Sequence, residues 1–379
     1  MTIKFKAAVL RQAGLAQPYG QSMPLSVENI EAEGPGANEL LVRIEAASLC
    51  RSDLSVVNGV RAWPLPIVPG HEAAGVVEEV GAGVTTARVG DHVVLVFQPH
   101  CGACPDCLRG DTHLCAPGLA ANRAGALLGG GTRLSKDGQA IHHHMGLSAF
   151  AEYAVISERS AVVIPKDVPL DVAALFGCAV MCGAGTVLNT GAIRAGDTVA
   201  IVGLGGVGSS AILGAALAGA REIIAIDKDP RRLAAAARLG ATHALADLDG
   251  SGAELIRDLS GGGTDIAFET AGTVGAFATA YNAVRRGGTV VSVGLVDPKT
   301  PFPLDVASLV TSAKTVKGSY MGSCNPPLDL PRYAGLFAQG HFPVEKLISH
   351  HLPLGDINLA LDRMAANEAL RQIITPHRA

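Results

Sequence analysis

Four of the chain's eight cysteines fall within fifteen residues, in CGACPDCLRGDTHLC at 101–115, as Cys101, Cys104, Cys107 and Cys115. Short intervals among turn-forming residues let several thiolates converge on one ion, and four sulfurs close a tetrahedral zinc shell. An iron–sulfur cluster accepts the same ligands, and a Cys-x-x-Cys redox pair would use only two of them. Disulfides are unusual in a cytosolic protein of this size. A second set is more dispersed: Cys50 opens CRSD, His71 lies in VPGHEAAG, and Cys178 lies in LFGCAV. Two thiolates and an imidazole leave a fourth tetrahedral position for water or a substrate oxygen. Taken singly, each cysteine also suits a small buried hydrophobe, and His71 a hydrogen-bonded structural histidine. Asp53 and Glu72 stand close enough in sequence to orient that imidazole or tune a metal from behind its ligands. Cys182 and Cys324 have no ligand role that requires them and read as packed thiols.

A different chemistry begins at residue 197. DTVAIV reads as a buried strand, GLGGVG follows at 203–208, SSAILGAALAGA has helical periodicity, and EIIAID ends at Asp227. Strand, glycine turn, helix, strand and terminal acid together form a dinucleotide signal. Gly203 permits the tight turn, Gly205 keeps a side chain out of the pyrophosphate path, and Gly208 permits close helix–strand packing. Gly206 and Val207 lie in the same loop, at the helix N-terminus that attracts phosphate oxygens. Asp227 can accept from both ribose hydroxyls, which favours NAD over NADP because a 2'-phosphate meets like charge. Lys228, Arg231 and Arg232 are the neighbouring cations that would receive such a phosphate.

These residues need two frameworks to hold them. At 379 residues and 48% hydrophobic, the chain has enough material for two cores. The second half alternates strand and helix, with DIAFETAG and GGTVVSVGL continuing a doubly wound α/β sheet to about residue 322. The first half has short β-like runs between Gly and Pro turns, such as ELLVRIEAASLC, AAGVVEEV and DHVVLVF. The expected organisation is a β-rich catalytic domain over 1–179, with the thiolate lobe at about 99–118, then a Rossmann coenzyme domain over 180–322. Residues 323–379 are expected to return to the catalytic domain. A formal charge of -4 makes no electrostatic case for nucleic acid. Apolar runs are broken by charge, Gly or Pro before bilayer length, so no membrane association and a cytoplasmic location are expected.

The order of CRSD, GHEAAG, the four-cysteine lobe, MGLSAFAEYAV, LFGC, GLGGVG and VVSVGL resembles the zinc-containing medium-chain alcohol dehydrogenases over essentially the whole chain. The pattern is nearest to the longer animal-type and glutathione-dependent formaldehyde dehydrogenase branches. That resemblance implies a GroES-like fold for the β-rich domain and two zinc ions per subunit. Cys50, His71 and Cys178 would hold the catalytic ion, and Cys101, Cys104, Cys107 and Cys115 the structural one. It implies that Asp53 supports the ligand histidine and that Glu72 can approach the metal during ligand exchange. Arg51 and Arg371 would lie near the coenzyme pyrophosphate, with Val293, in the late strand, also at the coenzyme. Alcohol would be oxidised to aldehyde or ketone by hydride transfer to NAD, reversibly, with Ser52 relaying the proton. The family's relay histidine is replaced by Ser55, so the proton must leave by another route, such as ribose hydroxyls, Ser55 and water.

Phe97 matches an inner-pocket aromatic of the family, His144 and Met145 outer-pocket positions, and Arg61 and Trp63 a segment bordering the substrate entrance. Arg61 and Leu119 stand where the glutathione-adduct branch has an acid and an arginine, which argues against glutathione-bound formaldehyde. Medium, bulky or aromatic alcohols are expected, with dehydrogenation of other formaldehyde–thiol adducts as the alternative. A metal-free reductase or a noncatalytic binding protein would not need the full ligand set. Retention of residues 116–146 points to a homodimer, with a homotetramer as the alternative.

Overall fold

The computed structural model describes residues 2–296 and 299–378. It divides into two compact units, one of Met1–Cys178, Asn325–Gln339 and Ile348–Ala379, the other of Ala179–Cys324 and Gly340–Leu347. The returning tail is therefore interrupted. Phe342, Val344 and Leu347 are fully buried, and their turn packs on the helix Gly206–Leu217 of the second unit.

The first unit is built from two β structures. Strands Thr2–Leu10, Leu25–Glu33, Leu134–Lys136, Gln139–His143 and Ile67–Val68 close into a barrel. Alternation along Thr2–Leu10 turns Phe5, Ala7 and Val9 inward, where they meet Ile30, Ala32, Val68 and Ile141. Next to it lies a seven-stranded sheet in which Glu39–Ser48 pairs with Ala73–Val80, Tyr153–Ser157 and Arg371–Thr375. The register Ala47↔Ala73 brings the ends of two strands together, and Ser48 N donates to Glu72 O at 2.7 Å. Cys50 follows the first of these strands and His71 precedes the second. Sheet pairing, not sequence proximity, makes them neighbours.

The second unit is a six-stranded parallel sheet in the order His243–Ala246, Glu222–Asp227, Thr198–Val202, Thr264–Glu269, Val284–Ser292, Thr315–Gly318. Every residue of Thr198–Val202 is buried, as expected for a strand covered on both faces. Strand order reverses on either side of Thr198–Val202, and ligands of such sheets bind at the carboxyl ends of the strands beside that point. The outermost strand, Thr315–Gly318, is exposed at every residue. Among the described residues no single helix is long and apolar enough to cross a membrane.

Candidate metal and coenzyme sites

Cys50 is the N-cap of the helix Arg51–Val57, and Asp53 is its third residue. A carboxylate there can accept from the cap's backbone N–H, and Asp53 Oδ2 does so from Cys50 at 2.9 Å. Its other oxygen accepts from Gly70 N at 3.2 Å and lies 2.8 Å from His71 Nδ1. That contact directs Nε2 of the ring away from the acid and towards the cysteines. Cys50 Sγ, His71 and Cys178 Sγ present donor atoms within 4.8 Å of one another, all buried.

The spacing suits a metal. A tetrahedral zinc ion with sulfur at about 2.3 Å and imidazole nitrogen at about 2.0–2.1 Å separates those two donors by roughly 3.6 Å. Cys178 Sγ and His71 Nε2 are 3.6 Å apart. The electrostatics agree. Hydrogen bonding with Cys178, followed by the His71 and Arg371 charges, holds the Cys50 thiol well below its usual range despite burial. Burial opposes a charge on His71, yet Asp53 and Cys50 outweigh it and hold the imidazole well above its ordinary value. The donor set is arranged around a positive charge, which a divalent cation supplies.

Glu72 and Arg371 lie behind the ligands. Arg371 Nη1 donates to Glu72 Oε2 at 3.3 Å and to the Leu49 carbonyl at 3.2 Å, with both side chains buried. Burial disfavours the guanidinium charge, but Glu72, Cys50 and Cys178 more than compensate. Arg371 thus has a role within the catalytic unit that its resemblance to a pyrophosphate ligand did not suggest. Arg51 is exposed at the start of its helix, and Ser52 and Ser55 are half-buried. Ser55 Oγ donates to the Arg51 carbonyl at 3.0 Å.

Aromatic rings line this centre. Phe97 stands edge-on to His71, with centroids 5.8 Å apart. His144 is perpendicular to His71 at 5.4 Å, and Trp63 is perpendicular to His144 at 4.9 Å. The expected outer-pocket position of His144 needs correction in one respect. The residue is fully buried, with Nδ1 3.5 Å from Asp53 Oδ1, so it backs the ligand histidine's support instead of standing at an open rim. Burial pushes its pKa down to about 4, leaving it neutral at pH 7. Met145 and Arg61 are half-buried.

The lobe brings the sulfurs of Cys101, Cys104, Cys107 and Cys115 within 4.8 Å of one another, and all four thiols are free. Sulfurs sharing a tetrahedral zinc lie about 3.8 Å apart, and Cys104 Sγ and Cys115 Sγ are 4.0 Å apart. Backbone N–H groups already point at these sulfurs: Cys104 N at Cys101, and Cys101 N and Gly118 N at Cys115. Hydrogen bonding led by Ala103 N–H lowers the Cys101 thiol to about 7, whereas burial pushes Cys107 up to about 12. Four thiolates so close need a shared cation to coexist.

In the second unit each loop glycine has a separate reason. Gly203 has φ +94°, and a side chain there would collide with Ala271. A Cβ on Gly208 would lie 1.9 Å from the Gly203 carbonyl oxygen, whereas one on Gly205 would meet open space. Gly206 and Val207 are half-buried in the first turn of Gly206–Leu217. Asp227 Oδ2 accepts from Leu204 N at 2.6 Å, and Oδ1 from Asp229 N at 2.9 Å. Arg232 lies 3.4 Å from Asp227, and Arg231 pairs with Asp229 at 2.9 Å. A cleft of about 490 Å³ is lined by Gly203, Asp227, Lys228, Arg232, Asp247 and Asn282, among others. Val293 directly follows its strand, with N–H donating to Glu269 O at 2.9 Å. Asp247 was missed by sequence reasoning. It follows a short, half-exposed strand, and only the parallel pairing with Glu222–Asp227 brings it to the cleft.

Two family models match the chain: the alcohol dehydrogenase GroES-like domain over residues 36–166 and zinc-binding dehydrogenase over 206–339. The chain belongs to the zinc-containing medium-chain alcohol dehydrogenase family. It is 38% identical over 375 residues to putative alcohol dehydrogenase D of Mycobacterium tuberculosis, covering 98% of this chain and 100% of that one. It is also 38% identical to an NDMA-dependent alcohol dehydrogenase of Amycolatopsis methanolica, covering 98% and 99%. The solved benzyl alcohol dehydrogenase of Acinetobacter calcoaceticus superimposes with a TM-score of 0.91 at 31% identity, covering 98% and 99%. The protein is an oxidoreductase of the alcohol dehydrogenase type, with a GroES-like catalytic domain and a Rossmann-type coenzyme domain.

Proposed function

We propose that this enzyme reversibly oxidises medium, bulky or aromatic alcohols to aldehydes or ketones, with NAD as hydride acceptor and two zinc ions per subunit. The buried Cys50–His71–Cys178 set, backed by Asp53, carries the reading. Zinc held there supplies Lewis acidity towards an alcohol oxygen. Ser52, two residues beyond Cys50, passes the alcohol proton on and does not retain it, because a bare serine hydroxyl is a poor terminal base. Phe97, edge-on to His71, and Trp63, perpendicular to His144, limit water and offer aromatic faces to a ring-bearing substrate. The solved benzyl alcohol dehydrogenase supports that preference. Asp227 favours NAD, since its carboxylate would repel a 2'-phosphate and it already engages Arg232. Arg51 and Arg371 are assigned to the pyrophosphate on the family resemblance alone. We also assign the enzyme to the cytoplasm and to a homodimer. The edge strand Thr315–Gly318 and the exposed Val306 and Val310 form the joining surface, and light scattering at graded concentration tests it.

Initial-rate NADH formation over primary, secondary and aromatic alcohols tests the reading, with NADP, NDMA and formaldehyde–thiol mixtures run in parallel. Turnover of free alcohols with NAD supports it. Turnover with formaldehyde–thiol mixtures alone moves the enzyme to the adduct class. Turnover that requires NDMA, on which one named relative depends, refutes NAD alone as the hydride acceptor.

A further inference from the structure

The position of Phe97 over His71 depends on what holds its backbone, because the strand His92–Leu95 has ended two residues earlier. A side chain takes over. Asn122 Nδ2 donates to the Phe97 carbonyl at 2.7 Å and to Gln98 Oε1 at 3.3 Å. Gln98 Nε2 in turn donates to the Cys115 carbonyl at 3.1 Å. Cys115 is the last thiolate of the lobe and also the N-cap of the helix Ala116–Arg123, its sulfur accepting from Gly118 N. Asn122 sits near the end of that helix, so the path closes on itself: Cys115, helix, Asn122, Gln98, Cys115.

Cys115, Gln98 and Asn122 are 0%, 3% and 4% exposed, so water competes little for these bonds and their geometry is firmly held. The other end of the amide faces a second stretch of the same wall. Asn122 Oδ1 is buried without a hydrogen-bond partner. A side chain added at Gly146, in the turn that carries His144 and Met145, would begin 3.5 Å from it. One amide therefore binds the backbone stretch that brings Phe97 against His71 and lies beside the turn that carries His144.

We propose that Asn122 is a positioning residue for the aromatic wall over the catalytic ligands, and that through Cys115 and Gln98 the thiolate lobe supports that wall. The kinetic arm of the test rests on the alcohol dehydrogenase reading. Asn122→Leu keeps the volume and removes the donor, while Gln98→Leu leaves the Phe97 bond and cuts the tie to Cys115. Trp63, the chain's single tryptophan, packs on His144 and reports the wall by its emission without turnover.

We expect Asn122→Leu to raise KM for benzyl alcohol about tenfold, with a smaller change in kcat, because displacing a positioning group costs far more than its own contacts suggest. The benzyl-to-ethanol ratio of kcat/KM should fall and Trp63 emission should shift, while bound zinc per chain and NADH affinity stay at parental values. Gln98→Leu should move the same readouts less, and Asn122→Gln, which keeps an amide donor, should restore part of the ratio. A lowered Tm with parental selectivity and parental emission overturns the proposal. If Asn122→Leu does not fold, Gln98→Leu decides by the same readouts. If the parent turns over no alcohol, the functional reading has failed. Trp63 emission in zinc-loaded variants then decides the positioning role, a shift supporting it and parental emission overturning it.

Discussion

Replacing Asp53 by asparagine changes few atoms and probes the support of the catalytic centre. Asp53 is fully buried and its two oxygens face three N–H groups: His71 Nδ1, Gly70 N and Cys50 N, at 2.8, 3.2 and 2.9 Å. An amide has one accepting oxygen, so its NH2 must face at least one of those donors. A buried donor left unsatisfied costs about 1–3 kcal/mol. The substitution also removes the negative charge that makes His71 a strong base, and loss of such a partner weakens metal binding by roughly 10–100-fold. Graded chelator titration with zinc counted per chain reads the second effect, and thermal melting at saturating zinc reads the first. The four-cysteine lobe serves as internal control, since Asp53 takes no part in it. We expect catalytic-site zinc to leave at lower chelator, lobe zinc to be retained, and alcohol oxidation to fall with the first loss. Catalytic-site affinity within about twofold of the parent, with turnover intact, would refute the argument that Asp53 fixes the ligand histidine.

Asp227→Ala should raise KM for NAD by about tenfold or more, because it removes the ribose acceptor and the support of Leu204 N–H, while releasing Arg232. The NADP-to-NAD ratio of kcat/KM should rise, and an unchanged ratio would count against the coenzyme assignment. Gly208→Ala places a methyl 1.9 Å from the Gly203 carbonyl oxygen and should abolish coenzyme binding, measured by NADH fluorescence, or folding itself. His143 is fully buried, with its pKa lowered to about 3 chiefly by burial. The unfolded chain takes up that proton below about pH 6.5 and the folded chain does not, so stability is lost as pH falls. At pH 5 the loss is about 2 kcal/mol relative to pH 8, and His143→Phe should flatten that limb in denaturant titrations. Cys107→Ser should cost the lobe its metal and lower Tm, with zinc retained at Cys50, His71 and Cys178.

The candidate ligand groups were legible because each residue lies in a short motif whose order along the chain is diagnostic, and the Rossmann turn because its glycines have separate steric reasons. What escaped depends on pairings between distant segments. His144 resembles a pocket-rim position by motif, but packing turns it onto Asp53, 91 residues away in sequence. Asn122 carries no signal at all, since its partners at 97 and 98 meet it only through the fold. The stretch Gly340–Leu347 joins the second unit because three apolar side chains find a helix there, and no composition break marks the crossing.

The catalytic unit draws on both ends of the chain, and this has a consequence during synthesis. Arg371–Thr375 pairs with Glu39–Ser48, and Arg371 neutralises Glu72 beneath the ligand set. On the ribosome, Cys178, the last of the Cys50, His71 and Cys178 set, emerges about 190 residues before that strand does. At about 5–20 residues per second the interval is roughly 10–40 s. For that time the candidate centre sits in a sheet that lacks Ile348–Pro353 and Arg371–Thr375, while the coenzyme unit is still being made. Completion of the candidate centre therefore waits on Arg371–Thr375, and nascent chains stalled before residue 371 should hold zinc loosely at Cys50, His71 and Cys178.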